Sequence, residues 1–224
     1  MGNYDNIRAV AFDLDNTLSD RKYTFSCHAS RMADLMLGDS PDETKKRFAE
    51  RLIVLDNNGY AEKTDVWSTV CCEFGVISDH SVYMREWNKS AQLFSRREPY
   101  SEELLRFLSG KYILALLTNG RVDTQSIKLD GIGFRKYFST VMISGETDTA
   151  KPDTRIYLML CERLGVSPSE TLYIGDHLEN DIRGPLSAGM KAILYDRYDT
   201  YGGIYPETIS SLKELEIILQ KNLG

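Results

Sequence analysis

Two aspartates one residue apart, Asp13 and Asp15, follow the apolar run Val10-Ala11-Phe12. Alternate residues of an extended chain point the same way, so both carboxylates can face one spot. Such a pair can share a divalent cation and divide labour, one carboxylate attacking while the other handles a proton, which suits phosphoryl transfer. An isolated Asp-x-Asp is more often just a solvated turn. Three further stretches give it company. Leu116-Leu117-Thr118-Asn119-Gly120 ends a second apolar run, Tyr112 to Leu117, with a hydroxyl and an amide. Ala150-Lys151-Pro152-Asp153 sets a cation before a helix start, and Tyr173-Ile174-Gly175-Asp176-His177-Leu178-Glu179-Asn180-Asp181 brings two more acids after a third apolar run.

The elements that must position these groups follow from periodicity. Short apolar runs at Ala9 to Phe12, Tyr112 to Leu117, Val141 to Ile143, Leu172 to Ile174 and Ala192 to Tyr195 read as buried strands. Helical patterns separate most of them: Ser101 can cap one with Leu104, Leu105 and Leu108 on a face, and Asp153 another that stops at Gly165. A helical pattern from Ile182 to Ala188 contains Pro185, which predicts a late start or a kink. Alternating strands and helices define an α/β fold with a doubly wound parallel sheet, whose ligands sit beyond the carboxyl ends of the strands. Asp13, Thr118 and Asp176 each follow an apolar run closely and fall on that edge.

Between Ser19 and Glu98 the strand pattern lapses. Ser40-Pro41-Asp42-Glu43 reads as a capping box, followed by Phe48, Leu52 and Leu55 at helical spacing. Val66, Val70 and Phe74 form a second stripe ended by Gly75, and Val82, Tyr83, Trp87, Ala91 and Phe94 a third; packing within a helical bundle explains these aromatics. The expected division is an α/β catalytic core from residues 1–18 and 99–224 and an α-helical cap from residues 19–98. Ser211-Leu212-Lys213-Glu214 opens a last amphipathic helix against the core.

The chain has 224 residues, 42% apolar, enough for one core domain plus an insertion. A net charge of -6 and a pI near 5.2 argue against broad attraction to nucleic acid or anionic membrane, so the expected partner is a small molecule and the expected state a monomer or homodimer. No apolar run is long enough to span a bilayer, and the start lacks the basic and apolar regions of a signal peptide. Cys27, Cys71, Cys72 and Cys161 show no C-x-x-C spacing. Reduced thiols in a cytoplasm are the plain reading.

The four chemical stretches, in this order, resemble the haloacid dehalogenase superfamily over residues 8–196, within the branch that carries a helical cap between the first and second motifs. Thr118-Asn119-Gly120 through Ile143-Ser144-Gly145-Glu146 to Lys151-Pro152-Asp153 is similar to bacterial pyrimidine 5′-nucleotidases, with phosphoglycolate and sugar-phosphate phosphatases sharing much of it. The resemblance implies a magnesium-dependent phosphatase acting on a small phosphate monoester through a phosphoaspartate. By that likeness Asp13 is the nucleophile and a metal ligand, and Asp15 is the acid and base, with its backbone carbonyl also on the metal. Thr118, the Asn119 amide and Lys151 hold phosphate, Asp176 is a further metal ligand, and Asp181 is a ligand directly or through water or Lys151. Thr154 and Asp148 depart from residues common in relatives, away from this chemistry.

Were the four aspartates to converge, each pair about 4 Å apart would repel by roughly 4 kcal/mol at an effective dielectric near 20. Lys151, a divalent cation and a proton on Asp15 would bring the cluster near neutrality. Oxygen-only ligands and a phosphoryl substrate favour Mg²⁺. A phosphomutase on the same core and a non-catalytic binding module are the alternatives; a dehalogenase is disfavoured because it needs no second acid such as Asp15. His177 reads as a loop residue, His28 and His80 as structural residues of the insert, and Arg121 and Glu146 as either loop-orienting or surface groups.

Overall fold

The computed structural model describes residues 4–221; the opening residues at which the signal-peptide expectation begins lie partly outside them. Six strands form one parallel sheet: β1 Ala9–Phe12, β2 Ile113–Thr118, β3 Thr140–Ile143, β4 Thr171–Gly175, β5 Lys191–Tyr195 and β6 Thr208–Ile209, in the order β3-β2-β1-β4-β5-β6. All five pairings are parallel. This is the expected doubly wound sheet with one short strand added at its edge.

Both faces of the sheet are buried, which is why its strands read as continuous apolar runs. Side chains alternate between two cores. Val10 and Phe12 of β1, Leu114 and Leu116 of β2, and Leu172 and Ile174 of β4 point into one. Ala11, Ala115, Leu117 and Tyr173 point into the other. Helices α5 Ser101–Leu108 and α9 Leu212–Lys221 cover the first face through Leu104, Leu108, Leu215 and Leu219. Helix α7 Thr154–Leu164 covers the second through Ile156, Tyr157 and Leu160. The register levels the strand ends, Phe12 pairing with Leu116 on one side and Ile174 on the other, so the residues just beyond these three strands share one rim.

The chain divides into two compact units, Met1–Asp20 with Arg97–Gly224, and Arg21–Arg96. The second consists of α1 Arg21–Leu37, α2 Asp42–Asp56, α3 Lys63–Phe74 and α4 His80–Phe94 around its own apolar core. Trp67 stacks on Tyr83 at 5.0 Å between ring centroids. Asp56 is buried against Arg21 at 2.8 Å and Lys63 at 2.9 Å.

Several local expectations are corrected. The capping box at Ser40 does not form; Pro41 occupies the cap position of α2 with no side-chain bond. Ser101 lies inside α5, donating its hydroxyl to the Glu98 carbonyl, while Tyr100 caps the helix with φ of 65°. The third stripe also carries Glu86 and Ser90 at buried positions. Asp153 does cap α7, accepting from the Arg155 N–H, and Gly165 ends that helix in the left-handed region. All four cysteines are free thiols. No helix among the described residues is long and apolar enough to cross a membrane.

Candidate active site

β1 ends at Phe12, and the Asp13 N–H still donates to the Ile174 carbonyl of β4 at 2.9 Å, so the ladder itself fixes the first acid. Lys151 reaches the same point from the loop before α7. Its ammonium donates to Asp13 Oδ1 and Asp181 Oδ1, each at 2.7 Å, and to the Tyr173 hydroxyl at 3.0 Å. Tyr173 in turn donates to the Leu117 carbonyl at 2.7 Å, tying the lysine to the end of β2.

Asp176 follows β4 directly. Carboxylate oxygens of Asp13, Asp176 and Asp181 lie within 4.8 Å of one another. Asp181 is turned inward by a π-helical turn, Leu178–Arg183, and its second oxygen accepts from the His177 N–H at 2.9 Å. Gly175 permits this approach: a Cβ there would collide with the Asp181 carboxylate. Pro185 sits at the start of α8, Gly184–Ser187, so the anticipated break falls between the π turn and a short α-helix. His177 Nδ1 accepts from the Asn180 N–H at 3.1 Å, capping the π turn, and burial lowers its pKa below the usual histidine value.

The buried charges act on each other strongly. Burial, with repulsion from Asp181 and Asp15 and against the pull of Lys151, pushes the Asp13 carboxyl up to about 6. Burial and then Asp181 and Asp13 raise Asp176 well above the usual carboxylate range. Burial alone would depress the Lys151 ammonium, but Asp13 and Asp181 outweigh it and hold the group well above its ordinary value. With all three carboxyls ionised against one ammonium, two negative charges remain, which one divalent cation would balance. An all-oxygen donor set with that surplus fits magnesium.

Asp15 stands apart from this set. Its carboxylate accepts from Lys128 Nζ at 2.9 and 2.7 Å and from Gln125 Nε2 at 3.2 Å, both from α6, Val122–Gly131. Lys128 thus sets a positive charge beside the Asp15 carboxyl that the sequence reading did not foresee. Thr118 Oγ1 accepts from Gln125 Nε2 at 2.7 Å. The Asn119 side chain is engaged with the Lys151 main chain, donating to its carbonyl at 2.8 Å and accepting from its N–H at 3.0 Å. Its carboxamide therefore clamps two loops together. Arg121 pairs with Asp123 on the surface, and Glu146 is exposed.

Asp13, Lys151, Asp176 and Asp181 are thus brought together, with Thr118, Asn119 and Asp15 around them. Gln125, Lys128 and Tyr173 were missed in the sequence. Tyr173 is hidden by its apolar strand. The one signal for Gln125 and Lys128 is that α6 lacks a clean apolar stripe, because both occupy inward positions three residues apart.

A family model described as haloacid dehalogenase-like hydrolase matches residues 10–195, and the chain belongs to that family of enzymes. It is 28% identical to the N-acylneuraminate-9-phosphatase of Rattus norvegicus, over 96% of this chain and 94% of that protein. It is 34% identical to the pyrimidine 5′-nucleotidase YjjG of Escherichia coli over 55% of this chain, which spans 57% of that relative. Among solved structures, a HAD-hydrolase, YfnB of Bacillus subtilis, bound to magnesium, shares the fold with a TM-score of 0.78 at 24% identity, over 95% of this chain and 98% of that one.

Proposed function

We propose that this hydrolase is a magnesium-dependent phosphatase that cleaves a small phosphate monoester through a phosphoaspartate on Asp13. The observation that carries the reading is Lys151 bridging Asp13 and Asp181 at 2.7 Å each, beside Asp176, on the rim where β1 and β4 end. Relatives named as phosphatases that act on chemically different esters support the class and leave the ester open.

Asp13 and Asp176 side chains, with the Asp15 backbone carbonyl, would hold the metal, and Asp181 would orient the site through Lys151 and the His177 N–H. When bound, the cation supplies positive charge against the phosphate and keeps the aspartates ionised. Thr118, the Asn119 N–H and the Lys151 ammonium hold phosphate oxygens and stabilise their charge as the group transfers. An Asp13 oxygen attacks phosphorus, the ester P–O bond breaks, and the leaving oxygen takes a proton from Asp15. Water then attacks phosphorus and gives its proton to Asp15. The bond to Asp13 breaks, releasing inorganic phosphate and the free carboxylate.

The division at Asp20 and Arg97 supports treating the Arg21–Arg96 insert as a separate unit, and its role as a cap is part of this proposal. The test is phosphate release, with and without magnesium, across nucleoside monophosphates, sugar phosphates and phosphoglycolate. Magnesium-dependent release that Asp13→Asn abolishes is expected; no release from any ester would overturn the reading.

A further inference from the structure

We infer that Gln125 and Lys128 are positioning residues that hold the Asp15 carboxylate and the Thr118 hydroxyl as one unit, setting the proton-transfer group at a fixed place beside the phosphate-holding hydroxyl. This rests on the phosphatase reading above. The two residues are each 3% exposed, on the inward side of α6. Gln125 Nε2 donates to both Thr118 Oγ1 and Asp15 Oδ2, and Gln125 Oε1 accepts from Lys128 Nζ at 2.8 Å. Lys128 Nζ also donates to both Asp15 oxygens, at 2.9 and 2.7 Å. Gln125 is itself braced: a Cβ on Gly120 would stand 3.2 Å from its Cγ. Burying an amine and an amide on the inward side of a helix is costly unless their bonds are made. Here each of the two contacts the site and the other.

Asp15 acts twice in the proposed reaction, giving its proton to the leaving oxygen as the ester P–O bond breaks and taking one from water as the bond to Asp13 breaks. Both transfers need the carboxyl within hydrogen-bond reach of the reacting oxygen. A carboxylate on a loop has free rotation about its side-chain bonds. Three hydrogen bonds from a rigid helix remove that freedom, and the Lys128 charge stabilises the carboxylate left after the first transfer.

Loss of positioning at Asp15 affects only steps that move a proton. Two esters separate such a loss from a general one: dinitrophenyl phosphate, whose phenolate leaves without a proton, and benzyl phosphate, whose alkoxide cannot. With magnesium, Lys128→Met is expected to lower kcat/KM, which reads the transfer to Asp13 and not the later attack of water, about a hundredfold on benzyl phosphate and by only a few-fold on dinitrophenyl phosphate. Lys128→Arg should restore most of the benzyl phosphate rate. Gln125→Leu should repeat the pattern more weakly and serves if Lys128→Met does not fold. Equal losses on the two esters, or no loss on either, would overturn the inference while leaving the phosphatase reading intact. Wild-type protein inactive on both esters would instead defeat that reading, and this inference with it.

Discussion

Asn119 and Lys151 exchange two hydrogen bonds across loops separated by the whole of α6 and β3, the carboxamide donating to the Lys151 carbonyl and accepting from its N–H. The backbone that carries the site's cation is therefore held by a side chain of the motif proposed to hold phosphate. Asn119→Ala should lower turnover about a hundredfold, the order expected for misplacing a reacting group by roughly 1 Å. The check is kcat on the best ester together with thermal melting, which should fall only slightly. Wild-type turnover in that variant would separate the two loops functionally.

Asp13→Asn should abolish hydrolysis and, in the absence of divalent metal, raise stability. It replaces one carboxylate in a cluster with surplus negative charge by a neutral amide of the same shape. Melting of the two proteins in chelator measures the sign. A marked drop in stability would contradict the charge arrangement described for Asp13, Asp176 and Asp181.

Magnesium should stabilise the protein more at neutral pH than at pH 5. The Asp13 carboxyl is pushed up to about 6 and Asp176 is raised as well. A carboxyl raised in the fold contributes stability that is complete below its unfolded value and is lost as pH rises through the folded one. The metal-free fold therefore weakens over that window, and the cation must displace protons below it. Melting shifts with excess magnesium at the two pH values test this. Equal shifts would remove the acids from the metal site.

His28 gives the helical unit an acid-sensitive core. It is fully buried, its Nδ1 meets Ser90 Oγ at 3.1 Å, and burial lowers its pKa to about 3. A depressed histidine leaves stability intact above its unfolded pKa, about 6.5, and loses it as pH falls toward the folded value. Over that window one proton costs about 1.4 kcal/mol per pH unit. Both tryptophans, Trp67 and Trp87, lie in this unit, so their fluorescence follows its denaturation alone. His28→Phe should flatten the pH dependence of the denaturation midpoint between pH 4.5 and 6; an unchanged slope would assign the sensitivity elsewhere.

Much of the sheet was legible because β1, β2, β4 and β5 are buried on both faces and leave unbroken apolar runs. β6 has two residues and no pattern to read. Asp13, Asp176 and Asp181 were legible because each follows or flanks a strand end. The Asp15 environment was not: Gln125 and Lys128 lie more than a hundred residues away along the chain, and a helical lysine reads as solvent-facing until the sheet places a carboxylate against it. The Ser40 and Ser101 caps failed for a local reason, since neighbouring Pro41 and Tyr100 took the cap positions.

The parallel sheet has a further consequence for engineering. Asp13, Thr118 and Asp176 sit at or just past strand ends on one rim, while turns such as Pro168–Glu170 enter strands at the opposite one. Peptide tags or longer connectors grafted into those remote bends therefore disturb none of the catalytic apparatus, making that margin the natural place to tether the enzyme to a support.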